Sequence, residues 1–515
     1  MLLSPVRSMT KRTAVDADAA LEALEAIIED RGLLAELPPE VRKRLLVAAG
    51  RASRPETHQE RRLARAFRRR KRERLEAADR KTRSRAGIRA ARESAVFVAP
   101  ARTLPAAEGE LEKPKTCYVC KAEFKRLHHF YDALCPSCAA FNYEKRFQTA
   151  PLEGRVALVT GARVKIGFQA ALKLLRAGAR VIATTRFPKD AAARYAREMD
   201  FGAWRDRLHV YGLDLRHSPS VELFARHVES SFDRLDVLIN NACQTVRRPP
   251  GFYSHLVDRE EGPFDALDPE LRPLLQRHHD LAEALAARGQ LPKTSGAPDA
   301  TGLMAFHDGA SGLGVRASAR LSQVRYTYDD AKRRPDLFPE GARDADLQQL
   351  DLRHRNSWRL TLAEVETPEL LEVQLVNSVA PFILCARLKS RMAHGAGFDR
   401  HIVNVSAMEG VFSRGTKTDR HPHTNMAKAA LNMMTLTSAR DYVEHGIHMN
   451  AVDTGWVTDE DPLVHAARKK DELDFQPPLD IVDGAARICD PLFSGLLTGV
   501  HVWGKFLKDY KPSSW

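Results

Sequence analysis

The sequence predicts an α/β protein: a doubly wound parallel sheet, preceded by a helical region and a small cysteine module. Three observations predict it. Apolar strands alternate with amphipathic helices from Gly154 to Ala242, and the alternation resumes near Thr367. A glycine-rich turn, TGARVKIG at 160–167, follows the first strand and opens a helix. Upstream, Cys117-x2-Cys120 and Cys135-x2-Cys138 stand fourteen residues apart.

Taken in order, Leu21, Leu24, Ile27 and Ile28 mark one apolar helical face over 16–30. VRKRLLVAAG, after Pro38 and Pro39, reads as a second helix, and Arg61 to about Ala91 as a long, polar, basic one. Pro100, Pro105 and Pro114 punctuate a stretch that reads as an extended linker. RVALVTGA, RVIATTR, LHVYGLDL and LDVLINNA are strands, separated by helices such as FQAALKLLRAGA. Regular alternation then stops over 244–355, which reads as an insertion placed over the active-site mouth or as a loop without a role. The expected domains are a basic helical region (1–95), a linker (96–113), a four-cysteine module (114–150) and the α/β domain (151–515).

With 515 residues, 43% of them hydrophobic, the chain can fill a sizeable core. No run of about 18 apolar residues is present, so no membrane span is expected. MLLSPVRSMTKRTA lacks the apolar stretch of a secretory signal. Seven cysteines, four in close pairs, suit a reducing compartment, and a cytoplasmic location is expected. The net charge is +13, and residues 51–95 hold 17 Arg or Lys against 6 Asp or Glu. That segment reads as a solvated helix or as a site for nucleic acid or another acidic partner. Only Phe67 among its arginines offers a ring for base stacking. Two converging Cys-x2-Cys knuckles suit a structural Zn²⁺ held by Cys117, Cys120, Cys135 and Cys138, with a redox pair as the rival reading. His128 and His129 read as packing or surface residues.

The order of motifs resembles the short-chain dehydrogenase/reductase family over about 152–245 and 356–505, and with it a Rossmann-type fold. Thr160, Gly161 and Gly167 match its glycine turn, around Arg163, Lys165 and Ile166. Asn240-Asn241-Ala242-Cys243 matches a strand end, and Asp214-Leu215 the acid beside the adenine. Asn377, Ser406 and Lys428 fall on the helix asparagine, the catalytic serine and the catalytic lysine. Thr454, Gly455 and Thr458 fall in the stretch beside the nicotinamide. The resemblance implies that Lys428 binds the cofactor ribose, Ser406 orients a substrate carbonyl and Asn377 holds a relay water.

Three positions depart from that pattern. Lys165 replaces a glycine, and its side chain either crowds the pyrophosphate or reaches a phosphate. Cys243 replaces a glycine and reads as a buried, inert thiol. Thr424 stands where the family has its proton-donating tyrosine, and a threonine hydroxyl is a poor general acid. His421, His423 and Tyr253 are candidate replacements, the histidines being better suited by pKa. The second strand ends in Arg186 with no acid, so NADP(H) is favoured over NAD(H), with Arg186 and Arg163 facing a 2′-phosphate. Arg247 and Arg248 either bind an acidic substrate or face water.

The expected function is therefore an NADP(H)-dependent oxidoreductase acting on a small carbonyl or alcohol, with an altered acid/base residue. The alternative is an inactive dinucleotide-binding scaffold that recruits a partner through its zinc and basic regions. The apolar helix carrying Thr424 and Lys428 suits either a dimer or tetramer interface or burial within one subunit.

Overall fold

The computed structural model describes residues 16–102, 109–288, 312–325, 334–394 and 399–515. The chain forms two compact units, Met1–Ala77 and Ala78–Trp515. In the first, helices Ala17–Glu29 and Pro39–Ser53 contain no buried residue. The apolar face expected of the first helix is there in sequence, but Leu21 and Ile28 are 55% and 77% exposed. The apolar face is present as a pattern, but no residue of this helix is buried. The basic helix Thr57–Ser84 begins in this unit, and its arginines make exposed i,i+4 ion pairs with Glu73 and Glu76.

The second unit opens with a hairpin of β1 (Glu110–Thr116) and β2 (Glu123–Arg126). Sequence reading placed 110–113 in the linker, because Pro100, Pro105 and Pro114 punctuate that stretch. Asp79 overrides them: its carboxylate accepts from Glu112 N at 2.7 Å and Lys113 N at 3.3 Å.

The main sheet comprises β3 (Val156–Thr160), β4 (Arg180–Thr185), β5 (Leu208–Gly212), β6 (Val237–Asn240), β7 (Arg400–Ser406), β8 (Ile447–Asp453), β9 (Phe506–Lys508) and β10 (Lys511–Ser513). Their spatial order is β10-β9-β8-β7-β6-β3-β4-β5, parallel except for β10. Strands β3, β6, β7 and β8 are buried throughout, as a sheet covered on both faces requires. One face packs Val159, Val403 and Val452 against Leu172, Ile488 and Phe493; the other packs Leu158, Ile402 and Met449 against Phe224, Leu388 and Tyr442. Each such side chain contributes about 1.5–3 kcal/mol by leaving water. The winding reverses between β3 and β6, and a crevice opens there at the carboxyl ends.

Two further segments matter. The region 244–355 contains helices Pro250–Glu261 and Arg272–Arg288; Leu271, Leu274 and Leu275 before and within the second join the core. Residues 289–311 and 326–333 of the expected insertion lie outside the described residues. Helix Thr367–Ala393 is long and apolar enough to cross a membrane by length and composition, with mean hydropathy 1.4. Its Ala380, Leu384, Leu388 and Met392 are built into the core, as in a core helix.

Candidate active site and cysteine cluster

A cavity of about 1050 Å³ lies over the carboxyl ends of β3, β4, β6, β7 and β8. The glycine turn forms its floor. Thr160 Oγ1 accepts from Ala242 N at 3.0 Å, and Asn241 Nδ2 donates to Thr160 O at 2.9 Å, tying β3 to β6. Gly161 has φ +67°, and a Cβ there would stand 2.9 Å from Ala242 Cα. A Cβ on Gly167 would stand 2.3 Å from both Gly161 O and Asn241 Nδ2. Helix Lys165–Arg176 starts without a side-chain cap, leaving its first N–H groups for an anion. The turn thus has the bare cradle and the free donors that a pyrophosphate needs.

Lys165 occupies the left-handed region, φ 55°, where a non-glycine residue costs roughly 1–2 kcal/mol. Its charge acts on Glu460: burial raises that carboxyl, and Lys165, Thr458 and Arg248 together hold it below its ordinary value. Thr458 Oγ1 donates to Glu460 at 2.6 Å. Ile166 and Gly455 also line the cavity.

At the far end, Arg186 Nη2 donates to Tyr253 OH at 2.6 Å and lies over the Tyr253 ring at 4.6 Å. Among the described residues Arg186 makes no ion pair. Arg163 does: it meets Asp190 at 2.8 Å, and Arg194 meets the same carboxylate at 2.7 Å. Burial pushes Asp190 up, but the two arginines outweigh it and hold it at about 2. Asp214, beside Leu215 in the wall, spends its carboxylate on Arg216 at 2.6 Å.

At the near end, Ser406 Oγ donates to Asn432 Oδ1 at 2.5 Å, and Lys428 Nζ donates to Val405 O at 2.7 Å. Asn377 sits in a π-turn, accepting from Gln244 N at 2.7 Å and donating to Gln244 O at 3.1 Å. Ser406 and Lys428 line the cavity; Asn377 lies behind Gln244. Thr424 is only 1% exposed, is outside the lining, and its Oγ1 has no hydrogen-bond partner among the described residues.

The candidate replacements for the tyrosine fare as follows. Tyr253 belongs to the Arg186 end. His423 is buried 3.4 Å from Glu369 and does not line the cavity. His421 does line it, stacked on Trp358 at 3.9 Å, but burial draws its imidazole down to about 4, so it is neutral at pH 7. Arg247 and Arg248 neither face water nor stand free for a substrate: Arg247 pairs with Glu372 at 3.2 Å, and Arg248 pairs with Asp351. Cys243, expected to be buried, is exposed in the cavity wall, because the strand end carries it past β6. Iodoacetamide on the native protein is expected to label Cys243 and spare the buried Cys385 and Cys489. Peptide mapping that finds Cys243 unmodified would overturn that exposure.

Sequence reading missed Asn432, although 424, 428 and 432 follow helical spacing. It also missed Asp453 and Tyr118, whose places in the wall depend on strand register and on the module's docking.

The four cysteines converge. Cys117 and Cys120 flank the β1–β2 turn; Cys135 and Cys138 lie at the start of helix Pro136–Phe147. All four Sγ atoms lie within 4.8 Å of one another, and Cys135 N donates to Cys117 Sγ at 3.3 Å. Thiolates bound tetrahedrally at about 2.3 Å would stand roughly 3.8 Å apart, so the residues fit a four-thiolate ion with no open position. His128 and His129 pack on Tyr143 and are not part of the cluster. From the same module Tyr118 OH accepts from Trp456 N at 2.9 Å, so the first knuckle supports the cavity wall.

Family models described as short chain dehydrogenase and as Enoyl-(Acyl carrier protein) reductase match residues 155–257 and 355–475. The chain is 29% identical over 391 residues to Uncharacterized protein R665 of Acanthamoeba polyphaga mimivirus, covering 74% of this chain and 71% of that protein. It is 40% identical over 120 residues to Dehydrogenase/reductase SDR family member 13 of Bos taurus, spanning 22% of this chain and only 31% of that relative's length. Among solved structures, a short chain dehydrogenase from Burkholderia cenocepacia in complex with NADP aligns with TM-score 0.41 and 17% identity, over 69% of this chain and 96% of that one. Through the two matched segments and the glycine turn, serine and lysine they carry, this chain is similar to the short-chain dehydrogenase/reductase family.

Proposed function

We propose that the protein is an NADP(H)-dependent oxidoreductase acting on a small carbonyl or alcohol. The observation that carries this reading is that the glycine turn, Arg186, Ser406 and Lys428 line one cavity. Gly161, Gly167 and the uncapped helix would hold the pyrophosphate. Arg186, without a carboxylate partner among the described residues, suits a 2′-phosphate, and Tyr253 holds the guanidinium in place. Lys428 would hold the ribose at the nicotinamide end. When bound, the nicotinamide supplies or accepts a hydride. Ser406 orients the substrate oxygen, and Asn432 fixes the direction of its hydroxyl. The cysteine module serves as a closed structural zinc site that supports the wall through Tyr118. Met426 and Met433, exposed on the helix that carries Lys428, support association of copies through that face.

Fluorescence titration is expected to give saturable binding with NADPH preferred over NADH. Arg186→Ala should reduce that preference about tenfold or more, since a charge-assisted bond is worth about 1.5–3 kcal/mol. Absence of binding by either nucleotide would sink the proposal. An unchanged preference in Arg186→Ala would remove Arg186 as the selector.

A further inference from the structure

The reading above leaves one proton without a source. Thr424 is sealed from the cavity, and His421 is neutral near pH 7. The acids in the cavity wall are mostly occupied. Asp214 pairs with Arg216 at 2.6 Å, Glu409 with Arg414 at 2.7 Å, and Asp459 with Lys469 at 2.5 Å. Asp461 pairs with Lys469 at 2.9 Å, and Glu460 accepts from Thr458 at 2.6 Å. Among the described residues Asp453 alone of these acids meets neither a cationic nor a hydroxyl donor; its carboxyl accepts from Gly455 N.

Its position is the decisive feature. Asp453 is the last residue of β8, and Ser406 is the last of β7; the two are register partners in a parallel pair. Neighbouring parallel strands lie about 4.8 Å apart, and register partners turn their side chains to the same face. Both residues line the same cavity wall, and Asp453 is only 6% exposed.

We propose that Asp453 is the acid/base group of this site, doing from the neighbouring strand what the family's tyrosine does from the helix. In reduction, where a bound nucleotide would supply the hydride for the carbonyl carbon, the Asp453 carboxyl would give its proton to the carbonyl oxygen. The products are an alcohol, the oxidised nucleotide and the Asp453 carboxylate, which regains a proton from solvent through the cavity mouth. Oxidation runs the same steps backwards. The surroundings suit the role. Burial raises Asp453 to about 6 against the pull of Arg487, with Asp509 and Glu409 pushing the same way as burial, so both protonation states are populated near neutrality. Tyr118 faces it from the cysteine module.

This inference rests on the oxidoreductase reading, and the test separates the two. Asp453→Asn and Asp453→Glu would be compared with wild type for NADPH binding and for reduction of a panel of aromatic aldehydes and ortho-quinones. The expected result is that Asp453→Asn binds NADPH as wild type does and keeps its melting temperature, while kcat falls about 10²–10⁴-fold. Wild-type reduction should decline as pH rises through about 6, and oxidation should rise over the same interval; Asp453→Asn should lose both dependences. Asp453→Glu should recover part of kcat. An active wild type with an equally active Asp453→Asn would overturn the proposal alone. A wild type that binds NADPH but reduces nothing on the panel would overturn the oxidoreductase reading, and this assignment with it.

Discussion

Replacing Arg146 with alanine is expected to destabilise the protein by about 3–5 kcal/mol, the usual cost of removing one partner from a buried ion pair. Arg146 is completely buried, meets both Asp480 oxygens at 2.6 and 2.7 Å, and reaches Asp483 at 3.0 Å. Tyr131 OH also donates to Asp483 at 2.5 Å. Without the guanidinium, two adjacent buried carboxyls lose their cation. Burial raises Asp480, but Arg146 outweighs it and keeps that carboxyl below its ordinary value; burial and the Asp480 charge raise Asp483. The sign of the pH effect follows from Asp480. A depressed carboxyl contributes stability above its unfolded pKa and loses it as pH falls through the folded one. The deficit of Arg146→Ala should therefore be largest near neutrality and shrink in acid. Urea midpoints at two pH values check it; an unchanged midpoint near pH 7 would mean that the pair contributes nothing.

Gly167→Ala is expected to weaken NADPH binding about 10–100-fold, on an overpacking cost of roughly 1–3 kcal/mol. The added Cβ would meet a backbone oxygen and the Asn241 amide at 2.3 Å, and that amide is already tied to Thr160 O. Neither neighbour is the loose end of a flexible side chain, so the turn itself must move. The same titration used for Arg186 measures it. Wild-type affinity in Gly167→Ala would show that the glycine turn is not the nucleotide cradle.

What the sequence disclosed was what short windows contain. Continuous apolar runs and 3.6-residue periods gave the alternating strands and helices, and Ser406 and Lys428 could be recognised because each sits in a local frame. The four cysteines were readable for the same reason: two local pairs needed only to converge. What escaped was set by register and docking. Asp453 becomes notable only once β7 and β8 align it with Ser406, residues 47 positions away in sequence. Tyr253 was placed near the chemistry by its position after β6, yet it folds back onto Arg186. The exposed Leu21 and Ile28 show the converse, since an amphipathic pattern states what a helix can bury and not that anything covers it. The strand at Glu110–Thr116 owes its pairing in part to Asp79, more than thirty residues upstream.

The shared charges between the cysteine module and helix Ile481–Thr498 also bear on how such a protein can be assembled over generations. Arg146, Tyr131 and Lys145 are supplied by one segment; Asp480, Asp483 and Asp490 are supplied by another more than 300 residues later. Grafting the dehydrogenase segments onto a different leader, or exchanging the cysteine module for a foreign one, would strand buried acids on one side of the junction. A compensated exchange would have to change residues 131–146 and 480–490 at once.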